Sequence, residues 1–100
     1  MNEIEFRTWL SKNGMPSKVR SDLVSRLKKL ERSLGNCDLE EEYRKDRCSF
    51  VLSLFRNKGE NGDMARFGDT GLPVGKYHLS VYKYAVQKYL DYLNATLGGG

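Results

Sequence analysis

The side chains best suited to bind a ligand are the basic ones of residues 16–34, PSKVRSDLVSRLKKLERSL. This stretch contains two acids, Asp22 and Glu31, and six basic residues: Lys18, Arg20, Arg26, Lys28, Lys29 and Arg32. Such a concentration favours contact with nucleic acid, because each neutralised phosphate releases condensed counterions. The alternative is a solvated helix face whose charges only keep the chain soluble.

Other reactive side chains are few and do not form a known catalytic pattern. His78 is the single histidine, and Cys37 and Cys48 are the only cysteines, so we predict no metal site and no cofactor. The single histidine is not accompanied by a pattern that indicates a Ser-His-Asp catalytic set. The acids at residues 40–42 are interpreted as residues that stabilise a helix start. We therefore expect that the chain is not an enzyme.

Length and composition predict one small domain. The chain has 100 residues, 39% of them hydrophobic, and a net charge of +4. The N-terminal residues lack the apolar run of a secretory signal, and no apolar stretch is long enough to cross a bilayer. We expect a cytoplasmic protein with reduced cysteines and no membrane contact.

The organising element is a helix over residues 16–34 that ends at Gly35. Its apolar positions recur at helical spacing and predict a core stripe: Val19, Leu23, Leu27, Leu30 and Leu34. A shorter helix over residues 3–12 precedes it. The apolar residues of that helix are expected to gather on one side: Ile4, Phe6, Trp9 and Leu10.

Two further helices are predicted, over residues 39–57 and 76–97, with a glycine-rich loop at 58–75 between them. Asp38 and Glu41 fit a capping box for the earlier of these helices. Its inward positions are Leu39, Tyr43, Phe50, Val51, Leu54 and Phe55. The last helix should bury Leu79, Tyr82, Val86, Tyr89, Leu90, Leu93 and Leu97 and carry Tyr77, Tyr84 and Tyr92 on its flanks. Residues 98–100 read as a linker edge, which suggests one domain of a larger chain.

Two runs resemble the core-binding, SAM-like N-terminal domain of phage integrases and other tyrosine recombinases. They are FRTWLSKNGMPSKVRSDLVSRLKKLERSLG near the start and YKYAVQKYLDYL near the end. Related modules also precede nuclease domains in some restriction-type proteins. The resemblance implies a single all-α, four-helix, SAM-like bundle that binds double-stranded DNA through the second and last helices.

The resemblance carries nine residues over as candidate DNA contacts: Ser17, Lys18, Arg20, Ser21, Arg26, Lys28, Lys29, Lys83 and Lys88. The expected function is a non-catalytic DNA-binding module, an accessory or N-terminal domain of a recombinase, integrase or nuclease system. Two alternatives stay open: a helical protein–protein interaction adaptor, and a small phage or mobile-element inhibitor of a host factor. The partner is then double-stranded DNA or a protein, with further domains of a larger chain as a third possibility.

Overall fold

All regular secondary structure in the computed structural model, which describes residues 1–68 and 70–97, is helical. The described residues form six α-helices and one 3-10 helix: α1 Glu3–Lys12, α2 Ser17–Ser33, α3 Leu39–Asp46, α4 Ser49–Ser53, the 3-10 helix Arg56–Gly59, α5 Gly62–Ala65 and α6 Leu79–Thr96. The predicted all-α class is confirmed. The predicted linker edge at 98–100 lies outside the described residues.

The first two helices lie where the sequence predicts them. The Asn2 side chain accepts a hydrogen bond from the Glu5 backbone N–H at the start of α1. After α2, Gly35 adopts a φ of 74°, the left-handed conformation that glycine tolerates best at a helix end. One expectation for α1 is wrong: Ile4 is 79% exposed, because its side chain does not share the buried side with Phe6 and Leu10.

The helix predicted over residues 39–57 is instead broken into α3 and α4, and α4 already ends at Ser53, before the 3-10 helix begins at Arg56. Arg47 and Cys48 both have left-handed backbones, with φ of 59° and 62°. The Cys48 N–H donates back to the Glu42 carbonyl at 3.2 Å, a closure typical of helix C-termini. The turn redirects the chain, so Cys48 and Val51 enter the core, while Phe50, predicted to be buried, is 38% exposed.

The segment predicted as a glycine-rich loop, residues 58–75, includes the end of the 3-10 helix and the whole of α5. Met64 and Leu72 are buried in the core, and Phe67 and Val74 pack partly against it. Gly59 is itself buried against Leu79 of α6. The segment is therefore attached to the rest of the molecule at several points.

The last helix is shorter than predicted, and its buried side is displaced slightly around the helix axis from the predicted one. It begins at Leu79 and ends at Thr96, and Leu97, predicted to be buried, is 55% exposed. Tyr92, predicted on a flank, is buried instead, where its ring stacks on that of Tyr89 with 5.4 Å between centroids. The aromatic residues thus belong mainly to the core at this end of the helix.

Helix α2 packs against both α1 and α6, which also contact each other through Phe6 and Tyr89, and it contributes four residues to the core. Its buried residues are Leu23, Val24, Leu27 and Leu30. Glu3 of α1 contacts Lys28, late in α2, whereas Arg7 contacts Ser21, earlier in α2. Helices α1 and α2 are therefore antiparallel. Burying one side of α2 in this way leaves the opposite side in water.

Candidate nucleic-acid interface

The exposed side of α2 carries a continuous polar surface, which we call the α2 outer face: Lys18, Ser21, Ser25, Lys28, Lys29 and Arg32. All six residues are exposed. At 3.6 residues per turn they occupy an arc of about 100°, and Lys18 and Arg32 are about 21 Å apart along the axis. The face is directed outward because the leucines on the opposite side of α2 are buried in the core.

The two acids of α2 contribute little negative charge to this face. Glu31 is turned away from it, where its carboxylate binds the Met1 ammonium at 3.2 Å and the Leu39 N–H at 3.0 Å. Asp22 lies at the edge of the face and is half-buried. The field of the α2 outer face is therefore set by its lysines and arginine.

Within the described part of the chain, Lys28 is the lysine of the face that has a carboxylate partner. Its ammonium lies 2.5 Å from Glu3 of α1, and the Arg7 guanidinium binds the same carboxylate at 3.0 Å. The hydrogen bond from Lys28 lowers the pKa of Glu3, although desolvation opposes the shift. The charge of Lys28 is thus partly compensated, whereas Lys18, Lys29 and Arg32 have no carboxylate within 4 Å among the described residues.

Two predicted contacts on α2 lie beside the outer face rather than on it. Arg20 is half-buried and donates to the Met15 carbonyl at 2.6 Å, which holds the turn between α1 and α2. Arg26 is also half-buried and lines a shallow cleft with Lys29 and Tyr82. Ser17 is exposed at the first position of α2, beyond one end of the face.

The two predicted contacts on α6 are not brought together. Lys83 and Lys88 are five positions apart and so point about 140° apart around the helix. The Lys88 ammonium lies 5.8 Å from the centre of the Tyr84 ring, while Lys83 lines a cleft beside the 3-10 helix. On the exposed surface, Lys29 of α2 instead contacts α6, because its ammonium lies 6.0 Å from the centre of the Tyr82 ring.

The prediction from sequence left two residues of the α2 outer face out of its candidate contacts, Ser25 and Arg32. Both lie on the arc defined by Lys18 and Ser21, at helical spacings of seven and eleven residues from them. The same periodicity that located the buried leucines could therefore have found them. Arg32 extends the basic surface by one turn beyond Lys28.

The remaining reactive groups are the two cysteines and the histidine. Both cysteines are free thiols. Burial, followed by nearby carboxylates, raises the pKa of Cys37 to about 11 and that of Cys48 to about 12, so both are protonated at neutral pH and weakly nucleophilic. His78 is exposed at the start of α6. Among residues 1–68 and 70–97 there is no cluster of three His, Cys, Asp or Glu that could hold a metal ion.

No helix in the described part of the chain combines the length and the apolar content needed to cross a bilayer. Comparison of the chain with models of known protein families, with curated proteins and with solved structures finds no match.

Proposed function

We propose that this chain is a non-catalytic module that binds double-stranded DNA, with the α2 outer face against the phosphate backbone. The observation that carries the proposal is the placement of Lys18, Lys29 and Arg32 on one exposed arc. Among the described residues, no carboxylate lies within 4 Å of their charged groups. Contacts of this kind position a protein on a duplex without reading its sequence.

The proposed fold relationship is to the SAM-like N-terminal domain of integrases. In that comparison the four helices of the SAM-like bundle correspond to α1, α2, the pair α3–α4 taken together, and α6. The parent system would be a recombinase, an integrase or a nuclease, in which this module clamps the duplex for another domain. The contact of Lys29 with Tyr82 supports a shared role for α2 and α6, because it places basic and aromatic groups of both helices on one surface.

A helical protein–protein adaptor is the second candidate, and a different surface favours it. Ile4 is exposed beside Glu3, Asp38 and Glu40 around a shallow cleft at the start of α1. An apolar side chain with acidic neighbours suits a basic, amphipathic partner segment. An inhibitor of a host factor would use a surface of the same kind.

Duplex titration at two salt concentrations tests the first proposal. We expect a random-sequence duplex to bind at low salt, with log affinity falling by about 0.9 per phosphate contact for each unit of log salt. Glu3→Gln should tighten binding, because it releases Lys28 and Arg7 from their carboxylate. Absence of duplex binding at low salt by the folded chain would remove the DNA proposal and favour the adaptor.

A further inference from the structure

A second basic site lies away from the α2 outer face, between the 3-10 helix and the start of α6. This cleft, which we call the lysine cleft, has a volume of about 330 Å³. Three lysines contribute to its lining, Lys58, Lys76 and Lys83, and its apolar wall includes Phe55 and Leu79. Its volume lies within the range of small-molecule sites.

The backbone holds the lysines around one opening. The Gly75 N–H donates to the Lys58 carbonyl at 2.6 Å, which brings Lys76 beside Lys58 despite eighteen positions of separation. Lys83 follows Leu79 by four positions, so it lies one turn along the same side of α6. The cleft is thus assembled from two chain segments and one helix rather than from one helix end.

The charges around the lysine cleft are unbalanced. None of the three lysines has a carboxylate within 4 Å among the described residues. Glu60 is close to Lys58 along the chain, and its side chain packs against Gly75 and lines the neighbouring cleft with Asn61. Lysines that share an apolar-walled cleft repel one another, and a bound anion would relieve that repulsion.

An aromatic side chain also lines the lysine cleft. Tyr77 is 86% exposed and makes no ring-to-ring contact within residues 1–68 and 70–97. The rings of Phe6, Tyr89 and Tyr92 instead pack against one another in the core, and the partly buried Trp9 packs against Tyr92. An exposed ring in the lining of a cleft that three lysines also line offers a stacking surface next to an anion site.

We propose that the lysine cleft binds a nucleotide phosphate, with the lysines around the phosphate and the base stacked on Tyr77. The chemistry recognised is a phosphate monoester attached to an aromatic base. A free mononucleotide and the phosphorylated 5′ end of a DNA strand both present it. The site does not depend on the α2 outer face, so it stands if the duplex proposal fails.

Nuclear magnetic resonance titration of the labelled full chain tests this site. The probes are deoxyadenosine monophosphate, deoxyadenosine and inorganic phosphate, followed by a short single strand with a 5′-phosphate or a 5′-hydroxyl. We expect the monophosphate to shift the amides of Lys58, Tyr77 and Lys83, and to bind more tightly than either of its parts. A preference for the phosphorylated strand over the mononucleotide identifies the strand end as the ligand, and the reverse identifies the free nucleotide.

Matched variants separate the lysine cleft from general charge. Lys76→Gln/Lys83→Gln should weaken binding of the monophosphate by at least about tenfold, as expected for lost hydrogen bonds to a charged group. Tyr77→Ala should remove the advantage of the monophosphate over inorganic phosphate. Lys12→Gln/Lys45→Gln, which changes the net charge equally at exposed positions outside both the lysine cleft and the α2 outer face, should leave affinity unchanged. Because all these side chains are exposed, the variants should stay folded.

Three results would overturn the proposal. The first is that the monophosphate causes no amide shifts at the lysine cleft. The second is equal affinity for the monophosphate in Lys76→Gln/Lys83→Gln and in the control variant. The third is equal affinity for inorganic phosphate and the monophosphate in the unaltered chain, which would exclude stacking on Tyr77.

Discussion

Neighbouring lysines of α2 differ in what they can bind because their surroundings differ. Lys28 and Lys29 are adjacent, yet Lys28 is held by Glu3 of α1 and Lys29 lies over the ring of Tyr82. Lys18 has neither kind of partner among the described residues. Sequence reasoning treats the three as equal cations, since the partners come from helices that are distant along the chain. The structure assigns them unequal electrostatic environments.

Leu30 provides the residue-scale test of the core. It is fully buried within α2, and Leu30→Ala should lower the free energy of unfolding by about 2–5 kcal/mol. Ser25→Ala, on the exposed side of the same helix, should change it by no more than about 0.5 kcal/mol. Urea unfolding of both variants measures the difference. Similar small losses in the two would mean that this side of α2 is not the buried one.

Tyr92 provides a test of pH dependence. Burial, aided by the hydrogen bond to Glu5, raises the pKa of Tyr92 to about 12, whereas a tyrosine in the unfolded chain has a pKa of about 10. Between these values the unfolded state loses a proton that the folded state keeps, so stability falls as the pH rises.

Tyr92→Phe removes that ionisation. Its stability should fall less steeply than that of the unaltered chain between pH 10 and pH 12, as measured by urea unfolding across that range. Tyr84→Phe is the control, because Tyr84 is exposed. Identical slopes for Tyr92→Phe and the unaltered chain would show that Tyr92 is not buried.

At the scale of elements, the sequence predicts the helices that have strong periodicity and clear end signals. Helices α1 and α2 agree with expectation because caps, glycines and leucine spacing all indicate the same bounds. The break between α3 and α4 was not predictable, since Arg47 and Cys48 adopt left-handed backbones without glycine or proline to signal them. Tertiary packing of Cys48 and Val51 decides the local conformation there.

The candidate site also combines features that residue spacing predicts with features that only tertiary packing decides. The basic side of α2 could be located from residue spacing alone, because one helix contains all of it. The positions of Arg20 and Lys83 could not, since they depend on a turn carbonyl in one case and on the packing of residues 56–76 in the other. Assignments within one helix were therefore more reliable than assignments across elements.

Gly59 tests the attachment of the 58–75 segment to α6. Its φ is 83°, and a Cβ added there would lie 2.8 Å from a Leu79 methyl carbon. Gly14 has a similar φ of 80° with no atom within 4 Å of such a Cβ. Both alanine variants should incur the cost of a left-handed backbone, but only Gly59→Ala should also incur a packing cost of about 1–3 kcal/mol.

Thermal and urea unfolding of Gly59→Ala and Gly14→Ala measure that difference directly. Equal losses in the two variants would show that the segment does not pack on α6. A larger loss at Gly59 would establish that the start of the 58–75 segment packs against α6. The lysine cleft depends on this packing, because Gly59 follows Lys58 and contacts the helix that carries Lys83.

At the scale of the whole molecule, charge is unevenly distributed. The net charge of +4 is modest, but the α2 outer face and the lysine cleft each concentrate basic groups. Acids gather instead around the start of α1 and of α3, where Glu3, Asp38 and Glu40 surround one shallow cleft. A polyanion would be attracted more strongly to the basic surfaces than to this cleft, where the three acids are paired with Arg7, Lys28, the N-terminal ammonium and Arg44.

The salt dependence of duplex binding in a double alanine variant tests the central proposal most directly. Lys18→Ala/Lys29→Ala removes two unpaired cations of the α2 outer face, while Arg44→Ala/Lys45→Ala removes the same charge from exposed positions on α3. We predict weaker binding to any duplex sequence in the first variant, with the slope of log affinity against log salt reduced by about two units. We predict a much smaller change in the second. Equal affinity and slope in the two folded variants would contradict the assignment of the α2 outer face as the DNA-binding surface.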